Sequence, residues 1–149
     1  MASYAFDIFK QNIWYGEHNL SAVDSYCLAL VVSASAFISA ASNMADITDT
    51  WDILSATWDI SNSATYESLG YTPKIISGCT VSADVTTDKA KLSFDVITWT
   101  DCTIDADGCV IYKIDNNAMV CAIDFGEKKS AVNGSFTIQC PSTGIITLT

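Results

Sequence analysis

Residues 91–114 read "KLSFDVITWTDCTIDADGCVIYKI", and the side chains along this stretch change character with a period of two. Leu92, Phe94 and Val96 alternate with Ser93 and Asp95, while Ile104, Ala106, Val110 and Tyr112 share a parity that Gly108 leaves unbroken. Successive side chains of a strand point to opposite faces, so the pattern predicts half-buried strands over "KLSFDVITW" and "CTIDADGCVIYKI". The same reading extends to "KIISGCTVS" (74–82), "AMVCAIDFG" (118–126), "SFTIQC" (135–140) and "GIITLT" (144–149). Short punctuating stretches separate them: "TTDKA", "DNNA", the charged "GEKKSAVNG", and "PSTG". Strands at this regular spacing indicate a sandwich or barrel rather than βαβ units. The expected fold is mainly β, an antiparallel β-sandwich of jelly-roll-like kind with a short N-terminal helix.

Upstream the periodicity changes. Over residues 3–15, Phe6, Phe9 and Ile13 recur at helical spacing, with Ser3 placed to cap and Gly16 to terminate. That stripe is expected to pack on the protein's own sheet rather than on a partner. The run "SYCLALVVS" (25–33) fits one buried strand. After it, "SASAFISAASNMADITDT" is small and polar and reads as a long surface loop. Then "TWDILSATWDIS" (50–61) repeats Trp-Asp-Ile at a seven-residue interval, too few copies for a solenoid. Trp51, Leu54 and Trp58 would share one face of a helix, or anchor a loop, and serve either the core or an interface. The organisation expected is a single domain over 1–149, with the helix in 1–16 and a loop-rich insertion at 33–70.

Composition narrows the function classes. At 149 residues the chain is the size of one domain, and roughly two-thirds of its unfolded surface can be buried. Half the residues are apolar and 16% are charged, which excludes disorder, while apolar runs such as 28–32 are far too short to span a bilayer. The opening "MASYAFDIFKQ" carries an early Asp7 and no basic lead into an apolar run, so no signal peptide is expected and the chain should stay in the cytoplasm that makes it. Seven Lys and no Arg face seventeen carboxylates, for a net charge of −10. Such a field repels nucleic acid, and no guanidinium fork is present to read phosphates or bases. Neither a nucleic acid nor a membrane is an expected partner.

Nothing in the pattern nominates chemistry. The six cysteines (27, 79, 102, 109, 121 and 140) include no C-x-x-C pair, and the single histidine is distant from them, so a zinc site would be unusual and they read as small buried hydrophobes, with one or two bridges formed after release from the cell as the alternative. His18, in "YGEHNL", reads as an exposed loop residue. Seventeen acids single out no catalytic pair, and seven scattered glycines form no phosphate loop. The stretch "DCTIDADG" places Asp101, Asp105 and Asp107 suggestively for calcium, but Thr103 and Tyr112 fall where a twelve-residue loop wants ligands. It reads instead as a solvated strand face ending at a bulge. No enzyme activity, cofactor or metal is expected.

The C-terminal half resembles a family of tailed-bacteriophage virion proteins described as structural. The resemblance rests on "DVITWTDCTIDADGCVIYK" from Asp95, "AIDFGEKKSAVNGSFTIQC" from Ala122 and the closing "GIITLT", through Asp95, Trp99, Gly108, Tyr112, Asp124, Phe125, Gly126, Lys129, Asn133, Gly134 and Phe136. The front half agrees more loosely through the helix ending at a glycine, "CLALVVS", and "LGYTP" before Lys74. The resemblance implies a β-sandwich component of a phage particle, located in the virion after assembly in the host cytoplasm, with no catalytic residues. An acidic, arginine-free chain should avoid the genome-facing surface, which favours a capsid decoration protein on the outer head. Its partners would be the major capsid protein or other virion proteins, with homo-oligomerisation. A tail, neck or fibre-attachment protein is the alternative, and a carbohydrate-binding module using Trp51 and Trp58 as sugar platforms is the alternative of another class. The tryptophan-rich segment 48–61 falls outside the resemblance, so Trp51, Leu54 and Trp58 are the expected interface residues.

Overall fold

The computed structural model describes residues 4–20, 25–31, 70–84, 89–142, 144 and 146–148. In chain order the elements are β1 (Tyr4–Ala5), α1 (Asp7–Trp14), β2 (Tyr26–Val31), β3 (Lys74–Ile75), β4 (Thr80–Asp84), β5 (Lys89–Ser93), β6 (Ile97–Lys113), β7 (Met119–Ile138) and β8 (Ile146–Leu148). They form two antiparallel sheets, ordered β1-β7-β6-β2-β3 and β4-β5-β8. Side chains associated with both contribute to one core, in which Leu92 and Phe94 join Leu28, Leu30, Trp99, Ile104, Val110 and Met119. The mainly β, sandwich-like arrangement with one short helix is the class the alternation predicted.

The scaffold is a long hairpin. β6 and β7 pair from Ile97↔Ile138 to Tyr112↔Met119, joined by a turn in which Asn117 takes a positive φ of 57° and Asn116 Oδ1 accepts from the Ala118 amide at 3.0 Å. β2 lies against β6 from Tyr26↔Lys113 to Val31↔Gly108 and is buried along its whole length, as its unbroken apolar run required. β3 covers only Cys27 and Leu28 of β2's other edge. Further along that edge, the Leu30 amide donates to the Tyr71 hydroxyl at 2.8 Å, so a side chain stands in where the strand partner has ended. Tyr71 is itself fully buried, and the carbonyl of the next residue, Thr72, accepts from Trp99 Nε1 at 2.7 Å. "LGYTP" therefore locks the edge of β2 to the start of β6.

Four sequence expectations need correction. The helix is shorter than residues 3–15, because Tyr4 and Ala5 pair with Ala122 and Cys121 and the Phe6 amide extends that contact to the Val120 carbonyl at 3.0 Å. Ladder bonds at the sheet edge win over helical spacing there. Phe6 takes the N-cap position with no side-chain cap, and Ser3 lies outside the described residues. Phe6 and Phe9 are buried, so the helical stripe does pack on the protein's own core, and Gly16 follows the helix at φ 71°.

The stretch 74–82 is two strands in different sheets. Between them Gly78 adopts φ 63°, and a Cβ there would collide with the Asp95 carboxylate, so this corner requires glycine. Across from it, 91–99 breaks likewise after Ser93, where the Asp95 amide donates to the Ser77 carbonyl at 3.0 Å. The two corners are bonded to each other, and Val96, expected inside, is 55% exposed at the break.

The stretch "GEKKSAVNG", expected as a turn, does not turn the chain. Residues 126–134 run on inside β7. Between Ala106↔Lys129 and Gly108↔Asp124, β7 carries three more residues than β6, and between Cys102↔Gly134 and Ile104↔Ala131 it carries one more, with Asn133 at φ 46°. β6 carries one extra residue between Trp99 and Cys102, where Asp101 sits at φ 51°. Gly, the Lys pair and Asn-Gly are turn signals in a sequence, but here the extra residues are absorbed as bulges that bend a continuous strand. Finally, His18 is half-buried rather than exposed. Its ring meets Phe9 edge-on at 4.9 Å, and Nδ1 lies 3.3 Å from the Tyr26 hydroxyl.

Candidate interaction surfaces

The bent hairpin creates a concavity. Eleven residues of straight strand would separate Phe125 from Phe136 by about 36 Å. Their ring centroids are 6.3 Å apart, so β7 doubles back towards itself across its bulges. Phe136 in turn meets Trp99 edge-on at 6.1 Å, and Trp99 meets Tyr71 at 5.8 Å, making an aromatic chain from the hairpin into the core. The resulting groove has a volume of about 470 Å³. Ile123, Phe125, Phe136 and Ile138 supply its apolar lining and Lys129, Ser130, Ser135, Thr137 and Gln139 its polar lining, with Pro141 beside its end. Lys129 Nζ also pairs with Glu127 at 2.5 Å and holds that carboxyl below its usual range by hydrogen bond and charge. Both groups are exposed, so solvent screens the pair.

A second surface lies at the end of α1. Trp14 is 89% exposed and Tyr15 is 71% exposed, whereas Phe6 and Phe9 of the same segment are buried. The helix is thus fixed by one face and presents two large aromatic side chains at its far end. Sequence reasoning attended to the Phe6–Phe9–Ile13 stripe and passed over these two. Their position off that stripe was the available signal, since an aromatic outside the apolar face of an amphipathic helix points to solvent.

The predicted interface residues Trp51, Leu54 and Trp58 lie outside the described residues, as does nearly all of the loop-rich segment 33–70. Asp101, Asp105 and Asp107 fall on β6, Asp101 exposed in the bulge between Trp99 and Cys102 and the other two half-exposed near the register shift between Ala106 and Gly108. Among the described residues no group of three or more His, Cys, Asp or Glu side chains is arranged to hold a metal ion. Nor is any described helix long and apolar enough to cross a membrane.

All six cysteines are free thiols. Cys27, Cys102, Cys109 and Cys121 are buried, as expected of small strand hydrophobes, while Cys79 and Cys140 are half-buried. Burial, reinforced by neighbouring Cys140, pushes the Cys121 thiol up to about 12. Burial, with Cys121 and Cys140 nearby, raises Cys109 well above its ordinary value.

Five of the residues that carry the phage-protein resemblance have identifiable structural duties. Asp95 joins the two corners, Trp99 and Phe136 build the aromatic chain, Asn133 sits in a bulge, and Asp124 accepts from the Gly126 amide at 2.8 Å at the start of another. They set the shape of the hairpin. No family model, curated protein or solved structure matches the chain.

Proposed function

We propose that this protein is a structural component of a tailed-bacteriophage particle, a capsid decoration protein that docks on the major capsid protein from outside the head. The observation that carries the reading is the exposed Trp14–Tyr15 pair on a helix held in the core by Phe6 and Phe9. Trp and Tyr dominate the binding energy of protein interfaces, and a pre-fixed helix end loses little entropy on docking. The net charge of −10 without any Arg supports an outer position, away from packaged genome. The motifs over residues 95–149 support the particle itself, and repeated copies on a symmetric shell would turn weak single contacts into stable attachment.

The reading is tested by sedimenting the purified protein with capsids that lack it. Trp14→Ala and Tyr15→Ala should each weaken attachment by about 2 kcal/mol or more, roughly thirtyfold, if these side chains are hot spots. Their melting temperatures should stay at the wild-type value, because neither side chain is packed in the core. Wild-type attachment by both variants would remove the helix end from the interface.

A further inference from the structure

Cys79 and Cys140 are far apart in sequence but meet at one place in the fold. The β4–β5 register ends at Thr80↔Ser93, so Cys79 and Phe94 are the residues just beyond the last pair. The Phe94 amide donates to Cys140 Sγ at 3.2 Å. Both cysteines therefore lie at the end of this ladder, Cys79 by its place before Thr80 and Cys140 by its bond to Phe94, and both pack against the same core cluster as partly buried side chains. Neither belongs to a strand ladder: Cys79 sits in the connection before β4, and Cys140 lies two residues beyond the last paired residue of β7. Backbone at such positions can adjust to disulfide geometry without breaking ladder bonds. The other four thiols are buried within β2, β6 and β7 and out of reach of solvent oxidants.

The geometry points to Cys79 and Cys140 as a specific oxidation site, joined by an intramolecular disulfide that staples the end of β7 in the larger sheet to the entry of β4 in the smaller one. The co-reactant is a small-molecule disulfide of the oxidised-glutathione class. Cys140 loses its proton to solvent and its thiolate, which the Phe94 amide helps to stabilise, attacks one sulfur of the reagent. A mixed disulfide forms and one reagent thiolate leaves, taking up a proton. The Cys79 thiolate then attacks the Cys140 sulfur and expels the second reagent thiol. Two protein thiols are oxidised, the reagent disulfide is reduced to two thiols, and atoms and electrons balance. Burial raises both thiols, but at Cys140 the Phe94 hydrogen bond opposes the rise whereas at Cys79 the nearby Cys140 and Asp95 add to it, which is consistent with Cys140 as the first nucleophile.

The inference is independent of the proposed particle role and is tested on the isolated protein. It is incubated with oxidised glutathione, the remaining thiols are blocked, and peptides are mapped by mass spectrometry without reduction. A single Cys79–Cys140 cross-link is expected, with Cys27, Cys102, Cys109 and Cys121 recovered as blocked thiols. The melting temperature should rise on the order of 10 °C, because the bridge closes a long loop in the unfolded chain. That rise should vanish on reduction and be absent from Cys79→Ser and Cys140→Ser. Recovery of Cys79 and Cys140 as separate glutathione adducts, as free thiols, or in a link between two molecules would overturn the assignment. The mapping on the wild-type protein decides this even where a serine variant fails to fold.

Discussion

Cys109 and Cys121 occupy neighbouring strands, pairing with Ile123 and Ile111 respectively, and are 0% and 2% exposed. Reading these two cysteines as buried hydrophobes was within reach of the sequence, because both lie in apolar stretches, "CVIY" and "AMVCAI", and neither has a C-x-x-C partner. Their environment adds a consequence for pH. The folded state holds these protons more tightly than the unfolded state, so the stabilisation is complete below the ordinary value of 9.0 and is lost as pH rises towards about 12 for Cys121. Each such thiol should lower stability by about 1 kcal/mol per pH unit in that window. Urea unfolding under reducing conditions between pH 8 and 11 should therefore show a shallower decline for Cys121→Ala than for the wild type. Identical declines would mean that Cys121 is accessible in the folded state. His18 was less legible than the cysteines, since its burial against Phe9 and Tyr26 depends on a tertiary approach that "YGEHNL" does not encode locally.

At the scale of elements, the strands with clean alternation or unbroken apolar runs were readable and their continuity was not. The strand Tyr26–Val31 within "SYCLALVVS" is read correctly because the apolar run is too short for a buried helix and is bounded by polar residues. "GEKKSAVNG" is misread because charge and glycine signal a reversal, whereas the partner strand β6 continues alongside, bends with it and keeps β7 paired. A bulge leaves the same residues in the sequence as a turn, and only the opposite strand distinguishes them. The bent hairpin yields a graded expectation for its two phenylalanines. Phe136, 6% exposed and in contact with Trp99, should cost about 3–5 kcal/mol on truncation to Ala. Phe125 is half-buried at the groove, so Phe125→Ala should cost only about 1 kcal/mol. Chemical denaturation of both variants checks this order. A larger loss from Phe125→Ala would mean that the doubled-back strand has been misjudged.

For the whole molecule, two sheets around one core explain why chemistry is so hard to find in the sequence. The residues that stand out, Trp99, Gly78, Asp95, Phe136 and Asn133, hold corners, bulges and ring contacts, and what they define is a shape. Among the described residues, the Trp14–Tyr15 helix end and the groove along β7 are exposed surfaces that the proposed docking would use, and in that proposal the acidic charge favours the side of the shell away from nucleic acid. The proposal of an outer capsid position makes a stoichiometric demand, because a decoration protein follows the repeated lattice of the head whereas neck and tail proteins occupy a few unique positions. Quantitative mass spectrometry of purified virions, with the major capsid protein as the internal standard, measures that ratio. The account predicts copies of this chain on the same order of magnitude as the major capsid protein, and a handful per particle, or none, would contradict it.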